Sequence, residues 1–140
     1  NYIILLIINF LKNLFQNICF KTAYSIITNK YYNDNNQLQY NIFILFGLPN
    51  IEFEAVLAHE LFHVWLYQNK DPLKIGLVEG FCNLGSSLIY ENDHTHFSQI
   101  HLQSMEKDQD SLYGTNYRML KKKLKQYGWG KFLKDFILIN

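Results

Sequence analysis

Five consecutive residues, His59-Glu60-Leu61-Phe62-His63, put two imidazoles and a carboxylate at a spacing that can do chemistry. On a helix, positions i and i+4 stack on one face. His59 and His63 would then reach one metal ion, with Glu60 beside the open coordination position. That is the H-E-x-x-H arrangement, in which the histidines hold zinc and the glutamate acts as general base. The competing reading is an amphipathic helix that carries two histidines by chance. The context argues against it. Val56, Leu57, Leu61, Phe62, Val64, Trp65 and Leu66 surround the histidines with apolar side chains. A helix apolar on most faces is buried, and buried histidines need partners, of which a metal satisfies two at once.

A zinc site of this kind needs a third protein ligand. The nearest candidate is Glu79, in the stretch Glu79-Gly80-Phe81-Cys82-Asn83-Leu84. A second helix running to about Tyr90 would lay it against the first. The competing role for Glu79 is an acid at a helix N-terminus, serving the dipole. Asp71 and Glu91 are weaker ligand candidates. Gly80 and Gly85 weaken the second helix by about 1 kcal/mol each relative to alanine, which close approach of the two helices would offset. Cys82 lies three residues after Glu79 and could face the metal, but reads first as core packing. A further donor near a developing oxyanion is expected. Tyr113 is the first candidate and His101 the second, neither carried by spacing.

The elements around these residues follow from pattern. The metal helix is expected from about Ile51 to Gln68, with Asn50 as N-cap and Glu52 and Glu54 in its first turn. Leu38 to Phe46, β-branched and aromatic and closed by Gly47 and Pro49, reads as a strand. Its alternation is imperfect, so both faces would be partly covered, and its edge could accept an extended peptide. Asn33-Asp34-Asn35-Asn36-Gln37 reads as a loop. Residues 3–20 read as a buried or amphipathic helix, with a membrane segment as the minority view, because Asn9, Lys12, Asn13, Gln16 and Asn17 interrupt the apolar run. Phe97 to Lys107 reads as a helix. Thr115 is a candidate cap for another, carrying Tyr117, Leu120, Leu124 and Tyr127 and stopped by Gly128. Trp129, Phe132, Phe136 and Ile139 describe a last amphipathic helix. His94 and His96 read as solvated loop residues, and Lys121-Lys122-Lys123 with Lys125 as a solvated outer face.

Composition bounds the function. The 140 residues are 49% hydrophobic and 16% aromatic, which is a folding sequence with a sizeable core. The expectation is a single domain over 1–140, N-terminally truncated, since it opens on Asn1. The formal net charge of +1 gives no footprint for nucleic acid. Cys19 and Cys82 do not form a disulfide framework, so a reducing, cytoplasmic setting is expected.

Several stretches resemble one family. Phe43-Ile44-Leu45-Phe46-Gly47-Leu48-Pro49, then Val56-Leu57-Ala58-His59-Glu60-Leu61-Phe62-His63-Val64-Trp65-Leu66, are similar to the peptidase domain of the plant organ-size regulators of the DA-one type. In that family a "GLP" stretch precedes an "LAHE-x-x-HAWL" helix and an "EEG-I-C-Q" stretch follows. Glu79-Gly80-Phe81-Cys82-Asn83 occupies the last place here. Asp108, Ser111-Leu112-Tyr113-Gly114 and Asn116-Tyr117-Arg118 resemble its "D-x-x-P-x-YG-x-GFR" segment. The resemblance runs over roughly residues 38 to 138. Val78 stands where the family has its first acid, and Asn116 where it has a glycine. The family carries LIM and ubiquitin-interacting segments ahead of this domain. These 140 residues contain neither, so ubiquitin-dependent activation is not carried over.

The combined expectation is an α+β, mostly helical fold with a zincin-like metal helix preceded by a strand. The function expected is a zinc metalloendopeptidase of the gluzincin type. His59, His63 and Glu79 would hold one Zn2+ per chain, and Glu60 would be the base for a metal-bound water. Its partners would be protein or peptide substrates, with no nucleic acid. The alternative is a catalytically silent, zincin-like interaction module. Retention of Glu60 favours the enzyme.

Overall fold

The computed structural model describes residues 18–23, 27–69, 73–111 and 113–138. It is an α+β fold, mostly helical, with three strands followed by four helices. The strands are β1 (Ile18–Ala23), β2 (Ile27–Tyr32) and β3 (Leu38–Leu45). The helices are α1 (Asn50–Asn69), α2 (Ile75–Asp93), α3 (His96–Lys107) and α4 (Gly114–Leu138).

The sheet order is β1-β3-β2. β1 runs parallel to β3, Ile18 opposite Tyr40 and Ala23 opposite Leu45. β2 runs antiparallel to β3, Ile27 opposite Phe43 and Tyr32 opposite Leu38. The polar loop expected at 33–37 makes this hairpin. Asn33 Oδ1 accepts from the backbone N–H groups of Asn35 at 3.1 Å and Gln37 at 2.8 Å, and Asn36 takes a left-handed φ of 58°, which asparagine tolerates.

Two of the three strands lie where the sequence reading expected none. The helix read over 3–20 falls mostly outside the described residues, and 18–20 belong to β1 instead. β3 follows the expected stretch, with Tyr40, Ile42 and Ile44 buried and the alternate residues half-buried. It is the central strand, however. Both of its edges are already paired, so the expectation that it offers an edge to a peptide is overturned.

Gly47, at φ 84°, turns the chain from β3 toward α1, a left-handed conformation that a side chain would resist. Helix α1 then lies between two apolar layers. Leu61 and Val64 pack on Tyr40, Ile42 and Ile44 of the sheet. Phe62 and Leu66 pack on Phe81, Cys82 and Leu84 of α2 and on Tyr117, Leu120, Phe132 and Phe136 of α4. At about 100° per residue these two sets fall on separated faces. His59, His63 and Glu60 are left on the quadrant between them.

Helices α1 and α2 pack in opposite directions: Glu79 stands by His63 and His59, Gly85 by Ala58, Ser86 by Ala55. A Cβ at Gly85 would come within 2.9 Å of Ala58 O, so this glycine serves the close approach of α1 and α2. Gly80 serves a different contact. Its Cβ would meet the Asn116 backbone at 2.7 Å, so its partner is α4 rather than α1.

The C-terminal part breaks at Gly128 as its sequence indicated, with φ 70° and ψ 165° inside the α4 span. Thr115 does not cap: it lies within the first turn, and α4 opens at Gly114 on the Asp110 carbonyl. Lys121 also departs from the solvated-face reading. Its Nζ reaches Glu106 of α3 at 2.6 Å, Tyr117 Oη of α4 at 2.8 Å and Glu91 of α2 at 3.0 Å. Lys122, Lys123 and Lys125 are exposed as expected. Among the described residues no helix is long and apolar enough to cross a membrane.

Candidate metal centre

The sequence-derived residues split into a group that converges and a group that does not. His59, Glu60 and His63 lie in the middle of α1, and Glu79 lies a turn inside α2. That position is past the first turn, so the dipole role weighed for Glu79 does not apply. His59 Nε2 and His63 Nε2 are 3.1 Å apart. Glu79 reaches both, at 3.3 Å from His59 Nε2 and 3.7 Å from His63 Nε2. The ligand alternative Asp71 lies outside the described residues, and Glu91 is engaged with Lys121.

These separations can be compared with a coordination polyhedron. Zinc–nitrogen and zinc–oxygen bonds of about 2.0–2.1 Å in a tetrahedron put neighbouring ligand atoms about 3.3–3.4 Å apart. The three observed separations bracket that edge. Two imidazole nitrogens and a carboxylate also form a donor set that suits a divalent cation. The residues present therefore fit zinc. His63 Nδ1 is buried with no hydrogen-bond partner among the described residues. Ligation through Nε2 leaves the His63 proton on that atom, without the outer acceptor that usually fixes a ligand histidine.

Electrostatics follow from burial. Desolvation is the larger influence on His63 and, with the neighbouring His59, lowers its pKa below the ordinary 6.5, against the opposing pull of Glu79 and Glu60. A neutral imidazole is the ligand form. Burial acts to raise the Glu79 carboxyl, but the hydrogen bond with His59 and the charges of both histidines outweigh it and hold the pKa below the usual value. Glu60 is 6% exposed on the same part of α1.

Two neighbours of the centre were undervalued or missed in the sequence. Cys82 is one turn beyond Glu79 on α2 and fully buried. Its ligand atom and those of His59 and His63 all lie within 4.8 Å of one another. Burial, then Glu79 and Glu60, push its thiol pKa well up. Tyr67 stands one turn past His63. Its ring stacks on His63 at 6.3 Å and on Tyr40 of β3 at 6.3 Å. Burial raises its hydroxyl pKa, with Cys82, Glu60 and Glu79 adding to the effect. The i+4 spacing that singles out His59 and His63 extends to Tyr67, and was the available signal.

Of the two oxyanion-donor candidates, neither is among the residues described in contact with His59, His63 or Glu79. Tyr113 is 45% exposed in the turn before α4. Its backbone N–H donates to Asp110 Oδ1 at 3.1 Å, and its carbonyl accepts from the Tyr117 N–H at 3.2 Å. His101 packs on Tyr90 and Phe97, with centroids 4.9 and 4.5 Å away. His94 and His96 are exposed.

Comparisons with known proteins give the family of the chain. The family profile DA1-like, described as Protein DA1, matches residues 15–102. That span contains His59, Glu60, His63, Glu79 and Cys82 and stops short of Tyr113. It begins earlier and ends earlier than the resemblance read over 38 to 138. The LIM domain-containing protein HDR3 of Oryza sativa subsp. japonica is 43% identical over 56 residues, covering 37% of this chain. The match spans 11% of that protein's length. No solved structure matches the chain. With more than half of its length matched by the family profile, the chain belongs to the DA1-like family.

Proposed function

We propose that this DA1-type chain is a zinc-dependent metallopeptidase domain that hydrolyses peptide bonds of protein substrates. The observation that carries the reading is the spacing of three donors from two helices, His59, His63 and Glu79, at 3.1, 3.3 and 3.7 Å. These residues would hold one zinc ion. When bound, zinc supplies a Lewis acid that acidifies a water and polarises a carbonyl. Glu60, beside the histidines on α1, takes the proton of the attacking water and returns it to the leaving amine. Tyr67, one turn past His63 with ring centroids 6.3 Å apart, joins Tyr113 as a candidate to donate a hydrogen bond to the developing oxyanion. The apolar layers on either side of α1 keep bulk water from the base and hold both histidines in one orientation. We assign the domain to the cytoplasm, where the free Cys82 thiol stays reduced.

Metal analysis beside a peptidase assay tests the reading. Wild type and Glu60→Gln are expected to retain about one zinc per chain. Hydrolysis is expected in wild type only, the variant losing about 10²–10⁴-fold. Zinc retained with no hydrolysis by either protein, across protein substrates, would replace this reading with a silent interaction module.

A further inference from the structure

We propose that Cys82 is a fourth donor of the metal centre, closing the coordination position that a nucleophilic water needs. The proposal rests on the metal-centre reading above and assigns that centre a latent form. Cys82 Sγ shares a cluster with the histidine ligand atoms, all within 4.8 Å of one another. It stands one turn beyond Glu79 on α2, so both side chains approach the histidine pair from the same helix. It is a free thiol and 0% exposed.

A zinc–sulfur bond of about 2.3 Å beside zinc–nitrogen bonds of about 2.0–2.1 Å sets a tetrahedral S···N edge of about 3.6 Å. The shift from 4.8 Å to that edge is smaller than the arc Sγ sweeps between χ1 rotamers. With Glu79 and a Cys82 thiolate, the ligands themselves match the two charges of the cation. As the sulfur–metal bond forms, the thiol proton leaves to solvent and nothing is oxidised. Structural zinc sites are closed by four protein ligands, whereas catalytic ones keep a position open. Engagement of Cys82 converts the second kind into the first, and its withdrawal restores the open position.

Cobalt substitution of the 140-residue chain tests this without reference to activity. Thiolate-bound Co2+ gives a sulfur-to-metal charge-transfer band in the near ultraviolet, and nitrogen and oxygen ligands alone do not. The expected result is that band in wild type and its loss in Cys82→Ser and Cys82→Ala, with the visible d–d bands kept in all three. Cobalt bound by wild type with d–d bands and no charge-transfer band overturns the proposal and leaves the three-ligand centre standing. A band that survives in a folded Cys82→Ser protein transfers it to Cys19 and overturns the proposal too. Failure of wild type to bind cobalt at all overturns the metal-centre reading, and this proposal with it.

Discussion

Replacing Gly85 by alanine perturbs the seam that holds the two halves of the candidate metal centre together. A Cβ there would meet Ala58 O at 2.9 Å, Phe62 Cδ2 at 3.0 Å and the Ala58 carbonyl carbon at 3.1 Å. The Phe62 ring can swing aside, but Ala58 O is fixed in the backbone of α1. An ordinary carbon–oxygen contact is about 3.3–3.6 Å, so α1 must withdraw by roughly 0.5 Å. Ala58 immediately precedes His59, and Glu79 is on the opposing helix. The 3.3 Å approach of His59 to Glu79 would open to about 3.8 Å, so that neither histidine would keep the roughly 3.3–3.4 Å edge of a zinc tetrahedron with Glu79. Overpacking of this kind costs about 1–3 kcal/mol, while exchange of glycine for alanine in a helix returns about 1 kcal/mol. Gly130, on α4, isolates the second contribution, because a Cβ there meets nothing within 4 Å. The propensity gain cancels in the comparison, so Gly85→Ala should be less stable than Gly130→Ala by about 1–3 kcal/mol in urea denaturation. Zinc affinity, measured by competition with a chromophoric chelator, should fall about tenfold or more in Gly85→Ala only. Equal stability and equal zinc affinity in the two variants would refute the packing on which the site is built.

Other expectations follow from the same geometry. The His63 pKa is held below its ordinary 6.5 and that of Glu79 below its ordinary 4.5. The unfolded chain therefore takes up protons first on acidification. Each group contributes stability that is present above its unfolded pKa and lost as pH falls through its folded one. The melting temperature of a zinc-stripped preparation should decline once pH drops below 6.5 and again below 4.5; a flat profile from pH 8 to 4 would contradict it. Lys121→Met removes one partner of the Tyr117 hydroxyl and leaves Ser87, on a residue that is 0% exposed. Chemical denaturation should register a loss of about 0.5–1.5 kcal/mol, with little from Glu91 and Glu106, which return to water. Tyr67→Phe should lower turnover about 100-fold at unchanged zinc content, and Tyr113→Phe should leave it unaltered; the reverse pattern in a peptide-cleavage assay would assign the donor to Tyr113 instead.

Much of the centre is legible in the linear order because a helix converts spacing into geometry. His59 and His63 must share a face once residues 50–69 are helical, and no tertiary information is needed for that. The same rule extended by one more turn reaches Tyr67. It was passed over because an aromatic at the end of an apolar helix has a sufficient explanation in packing. The strands were less legible. Ile18–Ala23 follows an apolar run whose spacing also suits a helix, and short apolar segments carry no period that separates the two. A strand with a parallel partner far along the chain is specified by that partner, so β1 becomes a strand only through the pairing of Ile18 to Ala23 with Tyr40 to Leu45. Lys121 shows the limit for charge. A run of lysines looks solvated in sequence, and only the convergence of α2, α3 and α4 brings Glu91, Glu106 and Tyr117 to one of them.

By itself the chain order determined the two-histidine face, the glutamate between them and the position of a helix to carry them, because these depend on contacts within four residues. The tertiary structure decided what faces that helix, Glu79 within 3.3–3.7 Å of the histidines and Cys82 in reach, and it enclosed β3 between two strands. The placement of Glu79 and Cys82 depends on how closely α2 can approach α1, and that distance is set by the absence of a side chain at Gly85, a long-range steric fact that no local pattern encodes.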